Sequence, residues 1–510
     1  MAIFSFSPFG FEGSIINVEV DLRHGIPAVD IVGLADSTVS ESRERIRTAF
    51  KRQEIDFPTE RVFISLNPAD LRKDIPLDLP IALEILHQMN RKRLEDAVLV
   101  MGELEYSGTV RPTRAVGAAL QTAVTHTIKY AIIPNDPSIV IPKGIKVLKV
   151  NTLKEGLKGL CDLINHQYDS FIDYNTDTTD KSEIEFSDID YKETLDSIHS
   201  TDSMPSIDDL KYAMTVAVAG RHNILAYGGP GCGKTLVLQR ITEIMPKLSS
   251  YEAESVNRIY SLAGYDSVNR KDRARPFRMP HQTASIEGIC GGGPNCRPGE
   301  ISLAHNGVLF LDEAAEFRTS VLQMLRVPLE SNQITLSRAG RTTIYPANFQ
   351  LVMATNPCPC GNYGSKNKIC LCSARTIELY WKKFSAPLLD RVAIRFSCND
   401  VHGYPSYSLE QMRDMVKRAW ERQYARQGKL NNDLTSDEAM NLKISKNAEY
   451  KLDMASQQYD LSPRAVANIK RLARTIADIH APDSAEIEES HIAEALTLSK
   501  RIPLESAPSF

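Results

Sequence analysis

One octet carries the most chemistry: Gly228, Gly229, Pro230, Gly231, Cys232, Gly233, Lys234 and Thr235 satisfy the spacing G-x-x-x-x-G-K-[ST]. Glycines let successive backbone N–H groups turn inward around phosphate oxygens, and a helix opening at Lys234 would add the positive end of its dipole. Lys234 is placed to reach the β- and γ-phosphates of ATP, and the Thr235 hydroxyl to bind Mg2+. A glycine turn without a ligand is the alternative, and the octet's position between an apolar strand and a helix argues against it. A second group closes the run GVLFLDE: Asp312 would hold Mg2+ through water, and Glu313 would polarise the attacking water. Asn356, at the end of a further apolar run, can orient that water or sense the γ-phosphate. Alone, an acidic pair after an apolar strand is usually a solvated turn; downstream of a phosphate loop it reads as a hydrolysis site.

Two further clusters stand out. Cys358-x-Cys360 and Cys370-x-Cys372 could offer four thiolates to one structural Zn2+. C-x-C is tighter than the usual C-x-x-C knuckle, so reduced thiols without metal are the competing reading. The stretch QITLSRAGRTTIYP alternates as two strands around a turn bearing Arg338 and Arg341, which suits a phosphate backbone. An exposed hairpin without function is the plainer account.

The elements that must position these residues follow from the pattern. His222–Tyr227, Gly307–Leu311, Phe349–Ala354 and Val392–Ser397 are short apolar runs that each end in polar residues. That fits a parallel sheet with its site along the carboxyl edge. Beyond residue 405 the chain reads helical, with Leu409–Gln427, Pro463–Ile479 and Ser490–Arg501 as amphipathic segments. Residues 1–164 mix strands (INVEVDL, RVFISL) with helices at Ser40–Gln53 and Asp78–Met89. Residues 165–205 are acidic and rich in Ser and Thr, a composition that cannot offset ordering entropy; they read as a linker with short patches such as IEFSDIDY able to dock. The expected division is therefore 1–164, 165–205, 206–400 and 401–510.

The net charge of −4 is unevenly spread, for 13 acidic residues against two lysines crowd between Asp169 and Asp209 and leave the rest of the chain net positive. Charge thus permits a nucleic-acid groove without establishing one. No apolar run is long enough to cross a bilayer, and the N-terminus lacks the charged and apolar regions of a signal peptide. The nine cysteines do not look like a secreted disulfide framework, so the expectation is a cytoplasmic protein without membrane contact.

From about 206 to 501 the chain resembles the magnesium-chelatase-like AAA+ ATPases, most closely the YifB/ComM competence-protein family. The residues that carry this are RPFRMPHQTAS (Arg275–Ser285), RPGEISLAHNGVLFLDE (Arg297–Glu313), NPCPCG (Asn356–Gly361), PLLDR (Pro387–Arg391) and SPRA (Ser462–Ala465). The resemblance implies an AAA+ P-loop NTPase core with a C-terminal helical lid, assembled as a homo-hexamer with ATP between subunits. Arg391 then resembles the finger reaching into a neighbour's site, and Arg464 the second sensor. The resemblance also implies ring-lining segments around Gly288–Gly299 and at the hairpin Gln333–Pro346, which would ring a pore with Arg338 and Arg341. The segment normally holding an adenine-contacting Gly-Gln pair reads MPSIDDLKYAM here.

The N-terminal block resembles the Lon-type protease (ribosomal-protein-like) α/β fold through RVFISLNPADLRKD, GELEYSGTVRP and AIIP. That fold needs a serine activated by a lysine. Ile75, Pro76, Leu77 and Asp78 stand where the serine should be, and no lysine lies between Met101 and Thr127. The expected role is docking of a protein partner or ring organisation rather than proteolysis. These readings converge on an ATP-dependent DNA translocase or helicase acting in recombination or competence. The alternative is a magnesium-chelatase-type motor subunit that remodels a protein partner.

Overall fold

The four apolar runs expected as parallel strands do pair in parallel, with a two-residue edge strand, Phe277–Arg278, that the pattern does not announce. The order across the sheet is Phe277–Arg278, Val308–Leu311, Gln350–Thr355, Ile224–Tyr227, Ile394–Ser397. The structure, a computed structural model, describes residues 3–32, 36–68, 77–173, 184–187, 194–201, 204–265, 273–293, 296–338, 341–365, 368–481 and 485–499.

Why the runs are apolar throughout rather than alternating is plain from the packing. Leu225, Leu309, Leu311, Leu351 and Met353 point into one buried cluster, while Ile224, Ala226, Phe310, Val352 and Ala354 point into another on the opposite face. A parallel sheet covered on both sides requires this. The second cluster is closed by helix Ile207–Gly220 and by the C-terminal helices Leu409–Gln427, Lys446–Tyr459, Pro463–His480 and Glu489–Leu498. Leu409–Gln427 starts at a Ser408/Gln411 capping box, and Pro463 occupies the first turn of its helix behind a Ser462 cap. Trp420 Nε1 donates to Val218 O at 3.1 Å, joining helix Leu409–Gln427 to helix Ile207–Gly220.

Residues 3–173 build an eight-stranded mixed sheet in the order Ile172–Asp173, Lys146–Val150, Tyr130–Pro134, Val98–Val100, Ile3–Ser7, Ser14–Arg23, Arg61–Asn67, Val29–Val32. Helix Asp78–Asn90 buries Leu79, Ile81, Leu83 and Ile85. Of the segment where a protease serine would stand, residues 69–76 lie outside the described residues. Leu77 and Asp78 are buried, and Asp78 pairs with Arg45 at 3.1 Å. Burial pushes the Asp78 carboxyl up to about 6 even against that guanidinium.

The other face of this sheet does not end in solvent. Phe6, Leu99, Ala131 and Ile133 share one buried cluster with Leu225, Leu309 and Met353 of the parallel sheet's layer. Arg258, on helix Ser250–Ala263, donates to Phe11 O (2.7 Å), Glu12 O (2.6 Å) and Thr122 Oγ1 (2.8 Å) across this seam. Within the acidic stretch, Ile184–Ser187 does dock: Phe186 bridges to Pro246, and Arg413 lies over its ring at 5.3 Å. Among the described residues no helix is long and apolar enough to cross a membrane.

Candidate functional site

The central strand Ile224–Tyr227 delivers the phosphate loop at the sheet's carboxyl edge, where the Gly228 N–H donates to Thr355 O at 3.3 Å. Gly233 caps helix Lys234–Leu238 at φ +86°, and an added Cβ there would lie 2.2 Å from Ile207 Cδ1. Both the positive φ and the close approach demand glycine. Lys234 is buried, with its ammonium donating to Gly228 O (2.7 Å) and Gly229 O (2.9 Å). Hydrogen bonding with the Cys398 thiol, together with the Lys234 charge, draws the Cys232 thiol down to about 6.

Asp312 and Glu313 leave the end of strand Val308–Leu311, which lies one strand away from Ile224–Tyr227, across Gln350–Thr355. The Thr235 hydroxyl donates to Asp312 Oδ1 at 3.0 Å, and the Glu313 N–H donates to the same oxygen at 3.0 Å. Glu313 is exposed and sits at φ 49°, ψ 45°, a left-handed conformation that a side chain of its size rarely adopts. The Glu316 N–H closes the turn on Glu313 O at 2.7 Å and holds it there. Asn356 follows strand Gln350–Thr355, half-buried, beside a Thr355–Tyr380 hydroxyl contact of 3.0 Å. The arrangement offers a phosphate cradle, a hydroxyl and a carboxylate that share a contact suited to a divalent cation, and an exposed carboxylate beside them.

Arg391 and Arg464 meet away from this group of contacts. Their side chains both donate to the carboxylate of Glu330, and Arg391 donates also to Pro387 O. Those two hydrogen bonds hold the Glu330 carboxyl below its ordinary range. The hairpin expected around the two arginine positions is present: Gln333–Arg338 pairs antiparallel with Arg341–Pro346, out to Arg338 opposite Arg341. The side chains of Arg338 and Arg341 lie outside the described residues. Gly291–Gly292 pairs with Arg297–Pro298 in a second small hairpin within the glycine-rich stretch.

Cys358, Cys360, Cys370 and Cys372 converge, all four sulfurs lying within 4.8 Å of one another; no other such group of potential metal ligands occurs among the described residues. An N–H from Asn362 and the Cys358 thiol lower the Cys360 thiol to about 6.

Four residues contribute without having been singled out in the sequence. Asn399 accepts from the Gly229 N–H at 3.4 Å, Met204 and Ile207 wall Gly233, and Glu330 collects the two arginines. Only Met204 and Ile207 carried any signal, as part of a segment already marked for its missing Gly-Gln pair.

Three family descriptions match the chain: "Magnesium chelatase, subunit ChlI" over residues 205–404, "Subunit ChlI of Mg-chelatase" over 18–137, and "Magnesium chelatase, subunit ChlI C-terminal" over 406–499. The competence protein ComM of Haemophilus influenzae is 35% identical over 513 residues, covering 97% of this chain and 96% of that protein. The uncharacterized protein YifB of Escherichia coli is 34% identical over 505 residues, covering 96% and 94%. The magnesium-chelatase 38 kDa subunit of Rhodobacter capsulatus is 23% identical over 167 residues, covering 29% of this chain and 48% of that protein.

Proposed function

This chain belongs to the YifB/ComM family of magnesium-chelatase-like AAA+ ATPases, and from that premise we propose that it is a ring-forming, ATP-driven DNA translocase acting in competence or recombination. The observation that carries the ATPase part is the shared oxygen of Asp312, which takes hydrogen bonds from the Thr235 hydroxyl and from the Glu313 N–H. Thr235 and Asp312 would hold Mg2+, which when bound neutralises charge between phosphate oxygens. Glu313 then orients and deprotonates the attacking water, and the loop amides with Lys234 bind the phosphates. Asn356 senses the γ-phosphate. Six copies close into a ring in which Arg391 reaches a neighbour's nucleotide and Arg464, on the helical lid, is the second sensor.

DNA as the track rests on the name and extent of the Haemophilus influenzae relative and on the hairpin bearing Arg338 and Arg341. The Lon-like reading of residues 1–164, without a serine–lysine dyad, makes that part a docking or ring-organising module, and the helices after 401 a lid over the nucleotide. ATPase and strand-displacement assays on forked and three-stranded DNA test the whole. DNA is expected to stimulate turnover, and Glu313→Gln to lower it by about 10²–10⁴ while nucleotide still binds. A rate indifferent to DNA overturns the translocase, and no turnover at all overturns the motor.

A second reading is a motor subunit that remodels a magnesium chelatase, favoured by the match to the Rhodobacter capsulatus subunit. That match covers only 29% of the chain. Turnover stimulated by a protein partner and not by DNA would select it.

A further inference from the structure

The loop that leaves Asn356 is poorly equipped to hold its own shape. Between Cys358 and Cys372 the large apolar side chains face outward: Ile369 is 83% exposed and Leu371 89%. A segment with no core of its own needs another source of order, as small metal-stapled modules do.

The four thiols supply it. Cys358 and Cys360 sulfurs stand 3.4 Å apart, Cys358 and Cys370 3.7 Å, Cys360 and Cys370 3.6 Å. A disulfide would bring two of them to about 2.05 Å. Four sulfurs at about 2.3 Å from one tetrahedral ion stand roughly 3.8 Å apart, close to what is seen. Soft thiolates select Zn2+ over Mg2+, and four protein ligands would leave no open position, so a metal held here would be structural.

The loop is seated directly on the phosphate loop. The Tyr363 N–H donates to Cys358 Sγ at 3.4 Å, and Tyr363 O accepts from Asn399 Nδ2 at 3.2 Å. The other end of the Asn399 amide accepts from the Gly229 N–H. Gly361, at φ +77°, lies so close that an added Cβ would be 2.8 Å from Pro230 Cδ. A ligand sulfur is thus linked through one tyrosine peptide and one asparagine to the amide of Gly229.

We propose that these cysteines bind one Zn2+ per chain and that the metal, through Tyr363 and Asn399, holds the Gly229–Pro230 turn in its nucleotide-receiving form. The claim rests on the nucleotide-binding reading of the phosphate loop and is independent of DNA. Removing the metal weakens ATP affinity, because the loop that orders Gly229 is released. The loss is on the order of tenfold, as expected for one or two well-placed hydrogen bonds.

The test uses the full chain purified in zinc-containing buffer. Metal content is measured by plasma mass spectrometry, and affinity with a fluorescent ATP analogue before and after stripping with a thiol-reactive mercurial followed by chelator and reductant. One zinc per chain, with about tenfold weaker binding once stripped and recovery on adding Zn2+, is the expected result. Asn399→Ala keeps all four ligands and is expected to retain zinc while losing affinity to a similar degree, which guards against a cysteine variant that simply fails to fold. Absence of zinc overturns the proposal, as does stripping that leaves affinity unchanged. If the zinc-loaded chain binds no nucleotide, the phosphate-loop reading itself falls and takes this one with it.

Discussion

Arg391 and Arg464 grip the same carboxylate. Arg391 follows the short helix Ala386–Leu389, Arg464 opens helix Pro463–His480, and the Nη2 atoms of the two guanidinia donate to Oε2 and Oε1 of Glu330 respectively, the second at 3.3 Å. Glu330 itself lies in the turn of helix just before the hairpin Gln333–Pro346. One carboxylate therefore ties together the proposed finger, Arg391, and the proposed second sensor, Arg464, at the root of the hairpin proposed to touch DNA.

If Arg391 reaches another subunit's nucleotide and Arg464 senses nucleotide, Glu330 must let go of both. Ion pairs to an exposed carboxylate contribute about 0.2–1 kcal/mol each, so Glu330→Gln, which weakens two, should favour the released state by roughly twofold to thirtyfold. The expected outcome is ATPase activity that reaches its plateau at lower protein concentration, while Arg391→Ala and Arg464→Ala abolish the concentration dependence along with the activity. Lower activity in Glu330→Gln would instead make the carboxylate part of the assembled site.

A second prediction concerns Mg2+. Asp312 accepts from Thr235 and Glu313, and among the described residues no cationic side chain hydrogen-bonds to it. Asp312→Asn keeps the shape and removes the charge, so nucleotide binding without Mg2+ should change by less than about threefold, while the gain on adding Mg2+ disappears and hydrolysis falls at least ~100-fold. Binding measured with and without chelator separates the two effects. An unchanged Mg2+ response in the variant would remove Asp312 from the cation site.

How much of this was legible beforehand depends on whether the signal was local. The octet 228–235 and the pair Asp312–Glu313 could be read because spacing and apolar flanks sit within a few residues of the chemistry, and the strands because a doubly covered parallel sheet keeps the middle of each strand largely apolar. Helix Leu409–Gln427 announced both ends through its Ser408 cap and Gly428 stop. Glu330 announced nothing, since its meaning comes from arginines 61 and 134 residues away. Phe277–Arg278 is too short to show a period, and Asn399 acts through a contact 170 residues distant. Helix Asp36–Arg52 begins four residues before the expected Ser40, where no apolar spacing marks the first turn.

A third prediction tests the seam between the mixed sheet and the parallel sheet. Phe11 meets Tyr345 edge to face at 6.3 Å, its N–H donates to Thr343 Oγ1 at 3.3 Å, and Arg258 holds the Phe11 and Glu12 carbonyls. Both Thr343 and Tyr345 belong to the hairpin strand Arg341–Pro346, so the first module braces the hairpin's base. Arg258→Met removes three hydrogen bonds, to the partly buried Phe11 and Glu12 carbonyls and to the buried Thr122 hydroxyl, costing about 2–4 kcal/mol. Calorimetry should show the melting transition lowered by several degrees, and DNA binding should weaken even though Arg258 lies outside the hairpin. Unaltered melting would mean the seam contributes little.

The last prediction is a pH dependence set by His222. Its ring is fully buried where helix Ile207–Gly220 ends, with Nε2 at 2.8 Å from Thr475 Oγ1 on helix Pro463–His480. Burial, reinforced by the Arg471 charge, depresses its pKa to about 3; burial and Arg221 likewise take His305 down to about 4. The unfolded chain protonates both near 6.5, so below that pH it binds protons that the folded chain refuses, and stability falls as pH drops. Each group contributes up to about 1.4 kcal/mol per pH unit, His305 down to about 4 and His222 down to about 3. Asp78, raised to about 6, works the other way: its folded form binds the extra proton, so between about 4 and 6 it offsets one histidine's worth of the loss. Urea midpoints at pH 7, 6 and 5 should therefore decline, and His222→Gln, which keeps a side-chain partner for Thr475 but cannot titrate, should flatten the decline. Parallel slopes for the native chain and His222→Gln would show that this ring is already solvated or protonated in the fold, contrary to its position at the joint between the sheet layer and the C-terminal helices.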